Sequence, residues 1–244
     1  IHGSPNILSE GTTEMYRAQE GYPIGYFYGY KTLGVFQSEK QIAEYTRAKL
    51  SGTAPGDLIF ADTNKDGVID DKDKCMIGNP HPDVTMGLTL NLAYKGFYLG
   101  ITTNAVFGKH IAKSYRSFTD QPKENYTTDI LGRWHGEGTS NRLPRVASGT
   151  NVNWLYISDI FIEDGDYFRI QNVTLGYDFK KLFPRMPLGQ VRLYVTAQNL
   201  ATFTKYSGMD PEIGYGADKS WVSGIDVGFY PSPRTYMIGV NLKF

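Results

Sequence analysis

An acidic loop in the first third of the chain has the residue types and spacing of a cation site. It reads D-T-N-K-D-G-V-I-D-D-K-D from Asp62 to Asp73, which fits the pattern D-x-N-x-D-G-x-I-D-x-x-D. Calcium binds several oxygen atoms placed at fixed intervals around a tight turn. The spacing predicts side-chain ligands from Asp62, Asn64 and Asp66 and a backbone-carbonyl ligand from Val68. Asp70 would bind through a water molecule, and Asp73 would close the site.

Calcium, or another hard divalent cation, is the cofactor that this loop predicts. Gly67 makes the turn, and Ile69 is expected to point inward and anchor the loop. Asp73 stands where an EF-hand has Glu, and its shorter side chain is less suited to bidentate closure. The alternative is a turn rich in Asp and Asn that holds no metal. In either case we expect the loop to have a structural role, not a catalytic one.

Aromatic residues in the long loops are the candidates for substrate binding, since their rings could stack on sugars or peptides. Packing within the loops explains them equally well. The chain has no G-x-S-x-G motif, no P-loop and no dinucleotide fingerprint. The acidic run at 163–166 is better explained as a solvated loop than as a glycosidase acid pair. We therefore predict no enzyme activity and no catalytic residue, and the candidate binding residues are Trp134, Trp154, Tyr206, Tyr215 and Trp221.

Composition excludes several classes of protein. The 244 residues contain 25 Lys and Arg and 25 Asp and Glu, so the net charge is zero and no nucleic-acid partner is indicated. Mean hydropathy is −0.36, and no apolar run is long enough for a transmembrane helix. A transmembrane barrel stays compatible, because only alternate residues of its strands face lipid. The single cysteine, Cys75, cannot form an internal disulfide.

Alternation of apolar and small polar residues predicts antiparallel strands. At the chain end, large apolar residues occupy every second position from Tyr236 to Phe244. An aromatic, Gly-rich run predicts a strand near 22–36, and the same period of two predicts strands near 84–94, 97–108, 167–179, 190–201 and 233–244. Long loops are expected at 37–83, 109–166 and 202–232, with short helices at 37–50 and 125–133.

Connections between these strands alternate between short and long. The short ones are Lys95-Gly96 and 180–190, and this asymmetry is typical of outer-membrane barrels. Six strands are too few to close a barrel, since the smallest have about eight. We therefore expect an all-β fold made of the C-terminal antiparallel strands of a large transmembrane barrel. The start at Ile1, without a leader, suggests a C-terminal piece of a longer chain.

Several segments resemble the C-terminal part of the SusC/RagA family of TonB-dependent outer-membrane transporters of Bacteroidota. They follow one another in order through nearly the whole chain. The segments are 20–36 (E-G-Y-P-I-G-Y-F-Y-G-Y-K-T-L-G-V-F), 55–70 (P-G-D-L-I-F-A-D-T-N-K-D-G-V-I-D), 77–88 (I-G-N-P-H-P-D-V-T-M-G-L), 166–177 (D-Y-F-R-I-Q-N-V-T-L-G-Y), 195–200 (V-T-A-Q-N-L) and the final strand.

This resemblance implies a barrel of about 22 strands with a plug domain that has no counterpart in these residues. It implies an outer-membrane location in a Gram-negative, Bacteroidota-type bacterium, contact with membrane lipid, and import of oligosaccharides or peptides. The implied partners are a SusD-like lipoprotein and TonB, which acts through the plug. The family's barrel-assembly signal is matched by Gly239, Leu242 and Phe244, whereas Met237 replaces the usual polar residue. A soluble, secreted, calcium-binding β-module that binds glycans is the alternative.

Overall fold

The computed structural model describes residues 7–8, 15–113, 128–147, 153, 156–213 and 223–244. Strands dominate it, with one short α-helix and a few 3-10 turns. No helix in this described part is long and apolar enough to cross a membrane. In chain order the elements are β1 (Ile7–Leu8), β2 (Tyr16–Ala18), β3 (Tyr26–Gly29), β4 (Thr32–Val35), α1 (Glu39–Glu44), β5 (Leu58–Phe60), β6 (Cys75–Gly78), β7 (Val84–Tyr94), β8 (Phe97–Phe107), β9 (His110–Lys113), β10 (Ile162–Asp164), β11 (Tyr167–Asp178), β12 (Gln190–Thr204), β13 (Ile225–Asp226) and β14 (Thr235–Lys243).

The chain divides into two compact units. The sheet unit comprises 82–109, 164–212 and 229–244, and the loop unit comprises 1–81, 110–163 and 213–228. A single five-stranded antiparallel sheet forms most of the sheet unit, in the order β14-β12-β11-β8-β7. The predicted hairpin turn at Lys95-Gly96 is present, with φ values of 47° and 95°. Positive φ at both positions matches the twist of the two strands that the turn joins.

The sheet has one apolar face and one polar face. On the apolar face, Leu90 pairs with Ile101, and Leu175 pairs with Leu99 and Val195. The polar face carries mostly Thr, Asn and Tyr side chains at the alternate positions, with Gly at several others. Large residues of the apolar face are exposed to an unusual degree, including Met86, Leu88, Leu92, Leu175, Val195, Ile238, Val240 and Leu242. A contiguous exposed surface of this size is typical of contact with a membrane or a partner protein.

A β-bulge in β11 changes which side chains reach each face. Ile170 pairs with Thr103 and Asn172 pairs with Thr102, so Gln171 is an extra residue relative to β8. Beyond the bulge, residues of odd number lie on the apolar face of β11, whereas before it residues of even number do. Arg169 consequently lies on the polar face, where it pairs with Asn104.

In the described part of the loop unit there are three small sheets and three apolar clusters. The sheets are β1-β2-β3-β6, β10-β9-β13 and β4-β5, and β13 runs parallel to β9. Phe27 of β3 is fully buried in a cluster with residues that include Ile157 and Ile225. Segments distant in sequence therefore share one core. Burial of each large side chain contributes roughly 1.5–3 kcal/mol.

Several predicted boundaries differ in the structure. The predicted strand at 22–36 is two strands, because at Tyr30 the chain leaves β3 and bonds to Ile157 before it enters β4. The helix predicted at 37–50 is only Glu39–Glu44. Ser38 caps the N-terminus of this helix, since its hydroxyl accepts a hydrogen bond from the Gln41 amide.

The long loops also contain more regular structure than the pattern predicts. Strands β5 and β6 lie within 37–83, and β9 and β10 within 109–166. A 3-10 helix at Thr128–Gly132 replaces the described part of the helix predicted at 125–133. Strand β12 continues to Thr204, and β14 covers Thr235–Lys243. Strands of two to four residues give too short an alternation to be recognised.

Candidate cation loop and associated site residues

The first half of the cation loop is a series of turns in which side-chain oxygens accept backbone amides. Asp62 Oδ2 accepts from the Gly67 amide at 2.9 Å, which closes the turn. Asn64 Oδ1 accepts from the Asp66 amide at 2.9 Å, and Asp66 Oδ1 accepts from the Val68 amide at 3.0 Å. Short polar side chains favour such turns because they bond their own backbone two residues on.

Gly67 is needed for the shape of this turn. Its φ is +86°, in the left-handed region, and no heavy atom lies within 4 Å of where a Cβ would be. The constraint is therefore on the backbone and not on space. Ile69 packs against the cluster that contains Tyr30, Leu58 and Phe60, in agreement with its expected anchoring role.

Asp73 ends the loop as a buried cap. Its side chain is fully buried: Oδ1 accepts from the Thr63 amide at 2.8 Å, and Oδ2 accepts from the Asp70 amide at 2.9 Å. Asp70 in turn accepts from the Lys72 amide at 2.8 Å and caps a one-turn 3-10 helix. Both oxygens of Asp73 are thus committed to backbone amides, whatever else they contact.

Asp62 is the member of the loop best prepared for a cation. Its Oδ1 is buried and has no hydrogen-bond partner among the residues that the structure describes. A buried carboxylate oxygen without a partner is unfavourable unless something neutralises it. Within the described residues, however, no three carboxylate, histidine or cysteine side chains converge as a metal centre. The oxygen donors of the loop are the type that calcium prefers. In this structure, however, their side chains accept hydrogen bonds from backbone amides.

A charged pair supports the end of the loop. Lys74 Nζ lies 2.8 Å from Asp71 Oδ1, and the Tyr30 hydroxyl lies 3.3 Å from the same oxygen. The hydrogen bond from Lys74 and its charge lower the pKa of Asp71. Burial, with the negative charge of Asp71, raises the pKa of Tyr30. The loop is therefore tied to the Tyr30 core at both Ile69 and Asp71.

Two predicted substrate residues are packed into the protein. Trp134 is half-buried, packs against the Tyr30 cluster, and donates from Nε1 to Gln37 Oε1 at 3.2 Å. Tyr206 is only 5% exposed. These contacts favour the packing explanation for both residues. Trp154, Tyr215 and Trp221 lie outside the described residues.

The predicted assembly residues lie on or just after the last strand, which pairs with β12. Leu242 and Phe244 are exposed, at 47% and 93%. Gly239 pairs with Tyr194, and a Cβ added to it would lie 2.5 Å from both Cζ and Oη of that ring. The Tyr194 ring thus leaves no room for a side chain at position 239 on the polar face, which favours glycine there apart from any role as a signal.

A buried charge cluster in the sheet unit was not predicted from the sequence. Arg169 is 3% exposed; its Nη1 donates to Glu212 Oε2 at 2.7 Å, and its Nη2 donates to Asp210 Oδ1. Lys109 Nζ donates to the Pro211 carbonyl at 2.7 Å. Burial lowers the pKa of Lys109, although the nearby carboxylates partly oppose this. The partners lie 41–102 residues apart, so no local pattern indicates them.

Comparison with known proteins gives one consistent group of relatives. No family profile matches the chain. The TonB-dependent receptor P3 of Formosa agariphila is 37% identical over 250 residues, covering 100% of this chain and 24% of that receptor. The TonB-dependent receptor SusC of Bacteroides thetaiotaomicron is 34% identical over 192 residues, covering 78% of this chain and 18% of that receptor. The chain thus spans about a quarter or less of the length of these relatives.

Solved structures show the same fold. The RagAB peptide importer in its open-open state aligns with a TM-score of 0.70 at 21% identity, over 100% of this chain and 25% of that chain. Its closed-closed state gives a TM-score of 0.69 at 20% identity. The match extends over both the sheet unit and the loop unit, since it covers 99–100% of the chain.

Proposed function

The chain belongs to the SusC-like TonB-dependent receptors, whose C-terminal part it matches, and from this premise we propose that it supplies the last wall strands of an outer-membrane importer. The observation that carries the proposal is the five-stranded sheet with one exposed apolar face. Strands β7 and β8 have 11 residues each, which is the length that crosses a tilted bilayer as a barrel strand.

The two faces of the sheet have separate roles in this proposal. The apolar face contacts lipid, where exposed Leu and Val side chains are favourable. The polar face lines the interior, where Thr and Asn side chains and exposed Gly backbone contact water, substrate or the plug. A soluble module would need another partner to cover the apolar face, so the soluble glycan-binding alternative is not favoured.

The partners and cargo follow from the family. We propose that the complete receptor imports oligosaccharides or peptides, works with a SusD-like lipoprotein, and is energised by TonB through its plug. One of the structural neighbours is described as a peptide importer. The location that follows is the outer membrane of a Gram-negative bacterium. An importer with this division of work needs no catalytic residue in the present chain.

A matched pair of substitutions tests the lipid-facing assignment. Leu90 and Asn91 are neighbours in β7 and point to opposite faces. Arginine on a lipid face near the midplane is destabilising by roughly 2–4 kcal/mol. Leu90→Arg should therefore lower the folded fraction of the receptor in outer membranes, measured by heat-dependent gel mobility, while Asn91→Arg should have a much smaller effect. Equal behaviour of the two variants would contradict the assignment.

Uptake tests the transport assignment separately. Cells that carry the receptor should accumulate labelled oligosaccharide or peptide, and the accumulation should disappear when the proton gradient that drives TonB is collapsed. Deletion of Phe244 should reduce the amount of receptor at the surface, because the family's assembly signal ends on this residue. Normal surface levels of that truncation would count against the assembly role.

Calcium binding by the loop is a further part of the proposal. Asp62, Asn64, Asp66 and Asp70 would hold the ion with the Val68 carbonyl, and Asp73 would stay buried behind it. The support is the unpartnered Asp62 Oδ1 together with the hard-oxygen donor set. Bound calcium would supply charge neutralisation and stiffen the loop.

Calorimetry on the purified receptor tests this calcium site. Asp66→Ala should abolish or strongly weaken the binding of calcium. Glu44→Ala, which removes an exposed carboxylate on α1, should leave it unchanged. Binding that is absent, or that Asp66→Ala does not alter, would remove the calcium assignment while leaving the import function in place.

A further inference from the structure

An open groove in the loop unit adjoins the cation loop. Its volume is about 820 Å³, within the range of small-molecule sites. One wall comes from the β4-β5 ribbon and another from the segment that follows α1. The first half of the cation loop completes it, and the residues that matter here are Leu33, Tyr45, Arg47, Lys49, Asp62 and Lys65.

The charged groups of the groove are mostly cationic. Arg47 and Lys65 make no ion pair or hydrogen bond through their side chains to any residue that the structure describes. Lys49 Nζ donates to the carbonyls of Ile42 and Tyr45 at 2.9 and 3.2 Å, which fixes the segment that carries Arg47. The whole sequence has no net charge, so this local excess is not a consequence of general basicity.

The one acidic lining residue does not cancel this excess at the surface of the groove. Asp62 directs Oδ2 to the Gly67 amide within the loop, and its Oδ1 is buried. The carboxylate is thus committed to the loop interior. A cation in the loop would neutralise it further and leave Arg47, Lys49 and Lys65 as the dominant charges.

The walls of the groove also offer apolar contact. Leu33 is 49% exposed although it lies in a strand. The Tyr45 ring packs edge-on against Phe36, with centroids 5.1 Å apart, so it is held in place. A fixed aromatic ring beside an exposed Leu suits a ligand with a flat or apolar backbone between its charges.

We propose that this groove binds an oligomer that carries carboxylate groups, with Arg47 and Lys65 as its charge-recognising residues. Arg presents paired donors that match a planar carboxylate, and Lys supplies a mobile point charge. The proposal rests on the proposed import function, since the oligomer would be a substrate or part of one. An acidic oligosaccharide and an acidic peptide share the chemistry that the groove recognises.

The test is calorimetric binding to the complete purified receptor with two pairs of probes. Trigalacturonate is compared with its fully methyl-esterified form, and tetraglutamate with tetraglutamine. At least one acidic probe should bind more tightly than its neutral partner, and the preference should weaken as salt is added. Whichever acidic probe binds identifies the source of the ligand.

Substitutions then locate the binding. Arg47→Gln and Lys65→Gln should each lower the affinity for the acidic probe roughly fivefold, which is the effect of one exposed charge pair. The affinity for the neutral probe should not change. Lys40→Gln is the matched control, because Lys40 is an exposed cation of the same unit outside the groove. The proposal is overturned if neither acidic probe is preferred, or if the groove variants behave like the control. Uptake that persists under either result leaves the import function standing.

Discussion

Replacing Gly239 by alanine is expected to destabilise the sheet unit, although alanine is ordinarily the better strand residue. The φ of Gly239 is not in the left-handed region, so alanine meets no backbone penalty there. The added Cβ would lie 2.5 Å from Cζ of Tyr194, far inside van der Waals contact. The Tyr194 ring lies across its paired neighbour in the sheet and would have to move.

The magnitude follows from two opposing effects. Overpacking typically costs about 1–3 kcal/mol, while removal of a strand glycine gains roughly 0.5–1 kcal/mol. The net expectation is a loss of about 1 kcal/mol, and at most about 2.5 kcal/mol. In a Tyr194→Ala background the clash is absent, so the same replacement should gain roughly 0.5–1 kcal/mol. The two sites are thus coupled by roughly 2 kcal/mol.

Urea unfolding of the detergent-solubilised receptor, followed by heat-dependent gel mobility, would measure all four members of this cycle. Gly87→Ala is the matched control, because a Cβ there meets no heavy atom within 4 Å. It should be neutral or slightly stabilising. If Gly239→Ala is equally harmful with and without the Tyr194 ring, the steric argument is refuted, and recognition of Gly239 by the assembly machinery becomes the better account.

Three other predictions concern buried groups. Arg169→Met should release the segment that carries Asp210 and destabilise the unit by about 3–5 kcal/mol, because it removes the buried guanidinium that pairs with Asp210 and Glu212; hydrogen exchange of 205–212 checks this, and unchanged protection would contradict it. Lys109→Met should alter the pH profile. The folded-state pKa of Lys109 is lowered, so between that pKa and the ordinary one the unfolded chain binds more protons than the folded chain. Over this pH range the free energy of unfolding of the wild type should therefore rise with pH relative to that of the variant. Urea titrations of both proteins at alkaline pH measure this, and parallel pH dependences would contradict it. Phe27→Ala should destabilise the loop unit by roughly 3–5 kcal/mol, seen as a lower thermal midpoint, whereas Leu131→Ala at an exposed position should have little effect.

The long strands and their hairpin were predictable from the sequence because their signals are local. Eleven residues of alternation define β7, and Lys95-Gly96 define its turn to β8. The turns of the cation loop were also predictable, since each bond spans two to five residues. The burial of Asp73 was not, because it depends on Thr63 and Asp70 closing around it.

The loop unit shows why the remainder could not be predicted. Its core joins Phe27, Ile157 and Ile225, which no sequence period relates. The groove beside Arg47 depends on where the segment after α1 comes to lie, which Lys49 fixes through two carbonyl bonds. Trp134 illustrates the opposite error: a loop aromatic suggested ligand contact, yet its ring is packed and its Nε1 is satisfied by Gln37.

The bulge at Gln171 reverses which residues of β11 face each side of the sheet. Before the bulge, even-numbered side chains face the membrane in the proposed importer, and after it odd-numbered side chains do. Because of this shift, Arg169 lies on the polar face, although it has the same odd parity as Leu175 of the apolar face. Deleting Gln171 alone would give β11 a single uninterrupted alternation and move every side chain from Tyr167 to Ile170 to the opposite face of the sheet. Insertions and deletions in this strand should therefore be tolerated only in compensating pairs.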